Sequence, residues 1–468
     1  MKVLHPPSPQ VGDHPPTEAE ALIEEARRRQ RRRRHALTGA GGALVAGLIA
    51  YLLVSGTSAP AKSPARALTS SGPSPVVDAP AFHGHGDLAF VSRGRLYVLD
   101  GTTGKLTAVT SGVQVARAPA FSPDGKWLAY SLGQSGAGVA RADGTSARTV
   151  TASGDSARWM PNGELLVGTT LYSISPSGRA TPAGAVPSGL VAWAMDGSGY
   201  AFVTRHVTNG PDGSFQGAER LELASSLTGK RTVWRSTSVS FTKKSGFRGG
   251  VSGGVVVLPH HEGLLFWVDP EQSASLAADG MHVYELRSPG GTPVDLGVTV
   301  GENVSVGPGG VLAIGSGGDR YAWTTKTVET CVVATARCSD VRTPPGDVTI
   351  DPAWSPDGKT LAFVEAPSSD APNFFQSTLT KWYSTHHLWL LRSGSSAPTE
   401  VPGTGGASVP AWSSNGESLL YESGDALWLI AVPGATPVKV ASPLFQPGAW
   451  PSYYGQVNWG EQFSWSAS

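Results

Sequence analysis

Charge is scarce in this chain. Lys and Arg number 36 and Asp and Glu 36, so charged residues make up 15% of the 468 residues and the formal net charge is zero. The first 54 residues hold eight Lys/Arg against five Asp/Glu, which leaves the remainder slightly acidic at 28 against 31. A bulk of that sign excludes generic nucleic-acid binding, which rests on excess positive charge. Cysteine is scarcer still, with only Cys331 and Cys338. None precedes Cys331, which excludes a bacterial lipoprotein anchor at the N-terminus, and the spacing is not the C-x-x-C of a redox-active pair. What abounds instead is glycine at 59, proline at 36 and tryptophan at 14. That is the profile of many short strands joined by turns, not of helices.

The N-terminus sets the expected compartment. Arg27 to Arg34 read RRRQRRRR, and residues 36–54 that follow hold no charge. A helix of that length rises roughly 28 Å, enough to cross the hydrocarbon layer. Arginines on one flank hold that side in the cytoplasm, so the rest of the chain is expected outside the cell membrane. Residues 1–35 read as a cytoplasmic basic head, 36–54 as a single transmembrane anchor or uncleaved signal, and 55–82 as a Ser/Pro/Ala-rich stalk too poor in large apolar residues to form a core. Secretion after signal cleavage is the alternative, since Ala59-Pro-Ala61 offers a small-residue cleavage pattern. Arg33-Arg34 before a glycine-rich apolar stretch also bears some likeness to a twin-arginine export signal.

From residue 83 the chain repeats itself. Phe121-SPDGKWLA-Tyr130, Trp193-AMDGSGYA-Phe202, Trp354-SPDGKTLA-Phe363 and Trp412-SSNGESLL-Tyr421 align without gaps. Three looser copies start at Trp159, Leu258 and Val306. In the four close copies a short strand ends at an aromatic and a turn of the Ser-Pro-Asp-Gly type reverses the chain, proline, where present, pre-setting φ and glycine accepting a positive one. An alternating strand follows, and further strands are expected over Leu96–Asp100, His282–Leu286, Leu388–Arg392 and Arg148–Thr151. Hairpins that recur at this spacing indicate four-stranded blades.

The strings AFSPDGKWLAYS and AWSPDGKTLAFV resemble the PD40, or WD40-like, repeats of TolB-type propellers. The resemblance covers Asp87 to about Ala441 and implies an all-β fold, a single propeller of seven or eight four-stranded blades over 83–468, with an extracytoplasmic binding role. Seven hairpin motifs are visible, and Asp87 to Gly112 supplies three further strands with no first strand before them. The C-terminal segment VNWGEQFSWSA from Val457 can return to supply it, which favours eight blades and leaves no exposed sheet edge. TolB itself carries a separate α/β domain, for which this sequence has no counterpart.

No catalytic set assembles from the sequence. Gly250-Val-Ser-Gly-Gly254 matches G-x-S-x-G, but a strand, Val255 to Leu258, follows Ser252 where a nucleophile elbow needs a helix. The chain beyond the last repeat is too short for a hydrolase domain. Asp124, Asp196 and Asp357 sit where turn hydrogen bonds account for them. Of the paired histidines, only His83 and His85 lie two apart, on one side of an extended chain; His260-His261 and His386-His387 point to opposite faces. No catalytic, cofactor or metal residues are therefore expected. Cys331 and Cys338 are expected to close a disulfide across a short hairpin in an oxidising compartment, the alternative being two free thiols. The insertion between Val364 and His386 carries Phe374, Phe375, Trp382 and Tyr383, candidate anchors for a partner or packing for their own blade. A second insertion, His206 to Gly217, reads as a polar loop. The functional expectation is a non-catalytic, membrane-anchored propeller that binds an envelope protein or cell-wall polymer. The alternative is a propeller enzyme or carbohydrate-binding protein using the central channel.

Overall fold

The structure is a computed structural model that describes residues 73–111, 116–133, 136–151, 157–242, 246–251, 254–268, 281–299, 303–317, 322–332, 337–341, 343–369, 376–432, 434–445 and 462–466. The candidate anchor at 36–54 and the head lie outside them. Among the described residues no helix is long and apolar enough to cross a membrane.

Eight antiparallel sheets make an eight-bladed propeller. Blade 2 shows the pattern: Arg117–Phe121, Trp127–Ser131, Ala137–Arg141 and Arg148–Thr151 run from the inner to the outer edge. Blade 5, built on the weak repeat at Leu258, is a regular four-stranded sheet from Val255–Val257 to Val294–Thr299. Blade 1 takes its innermost strand from the far end of the chain. Phe463–Ser466 pairs with Asp87–Ser92, Trp465 opposite Leu88. The ring also begins earlier than the expected boundary at residue 83. Val76–Val77 adds a fifth strand to the outer edge of blade 8, and a short helix, α1 (Ala79–Phe82), buries Phe82 completely. Small residues and prolines conceal that segment in the sequence, because it docks by one aromatic instead of by a periodic face.

Both faces of each blade are apolar, so the core is a set of wedges between neighbours. Leu420, Leu427, Leu429 and Val440 of blade 8 pack with Leu88, Phe90 and Leu99 of blade 1, and Phe82 closes that seam. The first aromatic of the repeat reaches back one blade. Trp159 donates its indole N–H to the Ala120 carbonyl at 2.8 Å, and Trp412 does the same to Ala353 at 2.9 Å.

The Ser-Pro-Asp-Gly turns are self-contained. Ser122 donates to Asp124 at 2.7 Å and accepts from the Trp127 N–H at 3.0 Å, with Gly125 at φ +68°. Ser355 and Asp357 repeat this in blade 7, at 2.7 Å. The Ser122 hydroxyl, more than any other group, holds the Asp124 carboxyl below its ordinary range, and Ser355 does so for Asp357.

Just before the aromatic, three inner strands bulge at the same place. Ala118-Pro119, Asp351-Pro352 and Val409-Pro410 each shift the ladder register, and Ala118, Asp351 and Val409 hold φ of +48°, +53° and +47°. Side chains bearing a Cβ resist that region, so the bulges persist only under outside constraint. In blades 6 to 8 the constraint is visible. The Asp351 N–H donates to the Asn303 side-chain oxygen, and the Asp351 carboxylate accepts from the Val409 N–H, both at 3.1 Å.

Removing residues 463–466 leaves Asp87–Ser92 as a bare inner edge. The truncated protein is expected to self-associate, which light scattering after size exclusion detects; a monomer of unchanged thermal midpoint would contradict closure by this strand.

Candidate functional site

Blade topology gives the ring two unlike ends. At one end lie the turns that join first to second and third to fourth strands, and these are short and alike. At the other end, the long-connection end, lie the second-to-third connections and the crossings between blades. Those include 269–280 in blade 5, 317–326 in blade 6, 368–386 in blade 7 and 443–462 between blades 8 and 1.

Blade 4 projects from the same end. Tyr200–Asn209 and Phe215–Ala224 are ten residues each and Thr232–Thr242 eleven, against five for the second and third strands of blade 2. Gly246–Arg248 adds a fifth strand. The segment His206 to Gly217, expected as a loop, is therefore a paired hairpin with Thr208 opposite Gln216. Its polarity has a simple cause: a ribbon that stands clear of the ring has solvent on both faces and lacks an apolar alternation. At its root Glu219, 1% exposed, is salt-bridged to Arg205 at 2.7 Å and accepts from the Val251 N–H at 2.7 Å. Gly250 packs against that carboxylate so closely that a Cβ would lie 2.7 Å from its Oε2.

A second polar group lies between blades 7 and 8. Helix α2 (Gln376–Tyr383) forms within the blade 7 connection and carries Trp382 and Tyr383. Trp382 is 7% exposed, donates to the Pro367 carbonyl at 2.9 Å and packs edge-on against Trp323 and His386. Of the proposed partner anchors, these two are thus placed in packing at the junction of blades 6 and 7, Tyr383 beside Trp382 in the same cluster. Phe374 and Phe375 lie outside the described residues.

His386 is fully buried. Its Nδ1 lies 3.0 Å from the Ala407 carbonyl, a contact that places the proton on that nitrogen, and its Nε2 has no hydrogen-bond partner among the described residues. Burial, chiefly, drives its pKa down to about 3. His387 faces outward and meets Glu400 at 3.0 Å. Glu365 and Glu422 lie towards the ends of the second strands of blades 7 and 8, two residues and one residue after the strand aromatic. Burial raises Glu365 to about 7, with Asp347 and Glu400 adding to it, and raises Glu422 to about 8, Asp425 adding to it. The Tyr383 hydroxyl is pushed well above its ordinary range by burial first, then by Asp351 and Glu422. The cluster thus reaches the strained bulge of blade 7.

Chemically this cluster holds protons in place. The Ser408 hydroxyl, 3.5 Å from the His386 Nδ1, is buried, and burial raises the pKa of the Glu365 and Glu422 carboxyls. The other candidates are dispersed. His83 is exposed, His85 offers its carbonyl to Trp465 at 2.6 Å, and His260 pairs with Asp196 on the surface at 3.3 Å. Ser252 lies outside the described residues. Cys331 and Cys338 are bonded to each other across paired strands of blade 6. Glu329 beside them completes the one grouping of three potential metal ligands among the described residues, and its two sulfurs are already committed.

Two signals for these residues stand in the sequence. The x-Pro-Ala-aromatic string precedes the turn at Ala118, Asp351 and Val409, and a glutamate closely follows the second-strand aromatic at Phe363 and Tyr421. The Arg205–Glu219 pair gives no such signal, because it depends on the ribbon register.

No family model matches this sequence, and no curated protein does. Solved structures similar to it include TolB from Acinetobacter baumannii, at 15% identity and TM-score 0.33, covering 76% of this chain and 64% of that one. The chain therefore spans just under two thirds of that protein's length. A putative TolB from Agrobacterium tumefaciens matches at 12% identity and TM-score 0.32, covering 77% and 92%. The dihydro-heme d1 dehydrogenase NirN matches at 15% and 0.42, covering 80% and 76%.

Two measurements check this geometry. Glu422 titrates near 8 when folded and near its ordinary 4.5 when unfolded, so the folded state holds the extra proton and loses stability as pH rises from 4.5 to 8. Glu422→Gln is expected to match the parent below pH 4.5 and to exceed it in thermal midpoint increasingly up to pH 8; parallel curves would remove the buried proton. Glu219→Ala leaves Arg205 without its carboxylate and is expected to cost about 3–5 kcal/mol locally. Amide exchange should then quicken across Thr204–Asn209 and spare blade 1.

The chain is an eight-bladed β-propeller whose structural neighbours include TolB proteins, and the likeness extends to the fold alone.

Proposed function

We propose that this protein is a non-catalytic propeller, anchored in the cell membrane through residues 36–54 with its basic head in the cytoplasm, that docks an envelope protein or cell-wall polymer outside. The observation that carries the reading is the unlikeness of the two ends of the ring. The turn end is built of short reversals, of which the Ser-Pro-Asp-Gly turns of blades 2 and 7 and the Ser-Ser-Asn-Gly turn of blade 8 are internally satisfied. Every extended connection and the blade 4 ribbon belong to the other end. A rigid scaffold that varies at one end only is suited to recognition there. The burial of His386, and of the carboxyls whose pKa that burial raises, supports a packing role for the polar groups near the bulges, in keeping with a binding protein.

The structural neighbours do not narrow the partner. The uncharged stretch at 36–54 after an arginine run supports the anchor and the orientation.

Photo-crosslinking residues placed at Gln216 and at Lys359 sample the two ends in intact membranes. Capture of one discrete partner is expected from Gln216 and not from Lys359; equal capture at both, or turnover by the purified ring in a broad hydrolase screen, would defeat the proposal.

A further inference from the structure

The innermost strand of blade 3, Ala157–Trp159, departs from the repeat at one residue. In the four close copies alanine precedes the first aromatic, as Ala120, Ala192, Ala353 and Ala411, whereas Arg158 precedes Trp159. Arg158 stands opposite Leu166, which packs in the seam with Tyr200 and Phe202 of blade 4. Opposed residues share a face, so Arg158 enters that seam too. There its guanidinium covers the ring of Trp193, the first aromatic of blade 4, at 4.4 Å from the centroid.

The polar atoms of this pair are unspent. Among the described residues no hydrogen bond or ion pair reaches the Arg158 side chain, and burial lowers its pKa to about 10. An arginine taken from water is ordinarily paired, because a desolvated charge without a counter-charge is costly. Trp193 is equally without a partner. Trp159 and Trp412 donate their indole N–H groups back one blade, to the Ala120 and Ala353 carbonyls, but the Trp193 indole makes no such bond to blade 3. The carboxylates of the two adjoining turns are engaged elsewhere. Glu164 accepts from the Asn162 amide at 2.9 Å, and Asp196 accepts from the Ser198 and His260 N–H groups at 2.9 and 3.0 Å.

Guanidinium and indole N–H groups are donors only, so the complementary ligand is an acceptor, and the desolvated charge requires that it be an anion. A guanidinium held flat against an aromatic ring keeps its N–H edge for two parallel bonds, the geometry that carboxylate and phosphate oxygens match.

We infer that Arg158 and Trp193 form a binding site for a small ligand bearing an oxyanion, carboxylate or phosphate, on the inner edge of the seam between blades 3 and 4. The site adjoins the turn end of the ring, opposite the connections assigned to the partner, so the inference stands independently of that docking surface.

The test titrates the purified full chain with inorganic phosphate, and separately with acetate, at an ionic strength held constant with chloride, and follows the thermal midpoint. A saturable rise is expected with at least one anion; phosphate alone assigns the site to phosphoryl groups and acetate alone to carboxylates. Arg158→Ala restores the residue of the four close copies, so the unliganded midpoint should not fall, while apparent affinity weakens about tenfold or more. Arg158→Lys keeps the charge without the fork and should bind between the two. Trp193→Phe keeps a ring beneath the guanidinium but removes the N–H, and should weaken affinity about threefold. Arg179→Ala, at an exposed arginine of the same blade, is the control and should bind as the parent does. Absence of a saturable rise with both anions overturns the inference. So does an affinity unchanged in Arg158→Ala or in Trp193→Phe, or one that falls as far in Arg179→Ala as in Arg158→Ala.

Discussion

The structure depends on one constraint: each blade is apolar on both faces, and a lone sheet of that kind has no stable exposure to water. Burial at roughly 25 cal/mol per Å2 rewards only the arrangement in which every face meets another. With wedge-shaped contacts, that arrangement is a ring, and a ring must be closed. Closure is assigned to the two ends of the chain, so that Phe463–Ser466 and Val76–Val77 reach the blade 8 and blade 1 region from opposite directions in sequence. The seam between blades 8 and 1 is filled by the fully or nearly fully buried Phe82, Phe90, Leu420 and Leu429.

Around that constraint the polar residues divide into two kinds. Those in the turns satisfy one another within five residues and could be moved to any blade. Those between blades, Asn303, Asp351 and the Val409 amide, act across sheets and hold inner strands in a backbone region they would otherwise leave. Tyr383, Glu422 and His386 gather near the same place, where burial selects the uncharged form of each carboxyl and imidazole. Such a group stiffens the junction of blades 7 and 8 at the end from which the longest connection departs.

Much of this fold was legible. The aromatic-bounded hairpins set blade positions directly, because strand pairing across a tight turn is local, and the aromatic C-terminal segment was recognisable as the missing strand. What escaped reading was set by distance. The pairing of Val76 with Ser442 joins residues too far apart for any periodicity to show. The ribbon at His206–Gly217 was concealed because two-sided solvent exposure removes the alternation by which strands are found. Trp382 and Tyr383 were visible as aromatics, but their burial beneath α2 depends on Trp323 in the neighbouring blade. The cross-strand disulfide, by contrast, joins residues seven apart, and its local hairpin made it accessible to inspection.

The attachment point of the N-terminal strand has a mechanical consequence. A pull transmitted along the chain arrives at Val76 on the outermost edge of blade 8, where two residues are paired and Phe82 is the next holdfast. Load would peel this short outer strand first. The inner strand that locks blade 1 belongs to the other terminus and bears none of the tension, so the ring can lose its outer seam to force and remain shut.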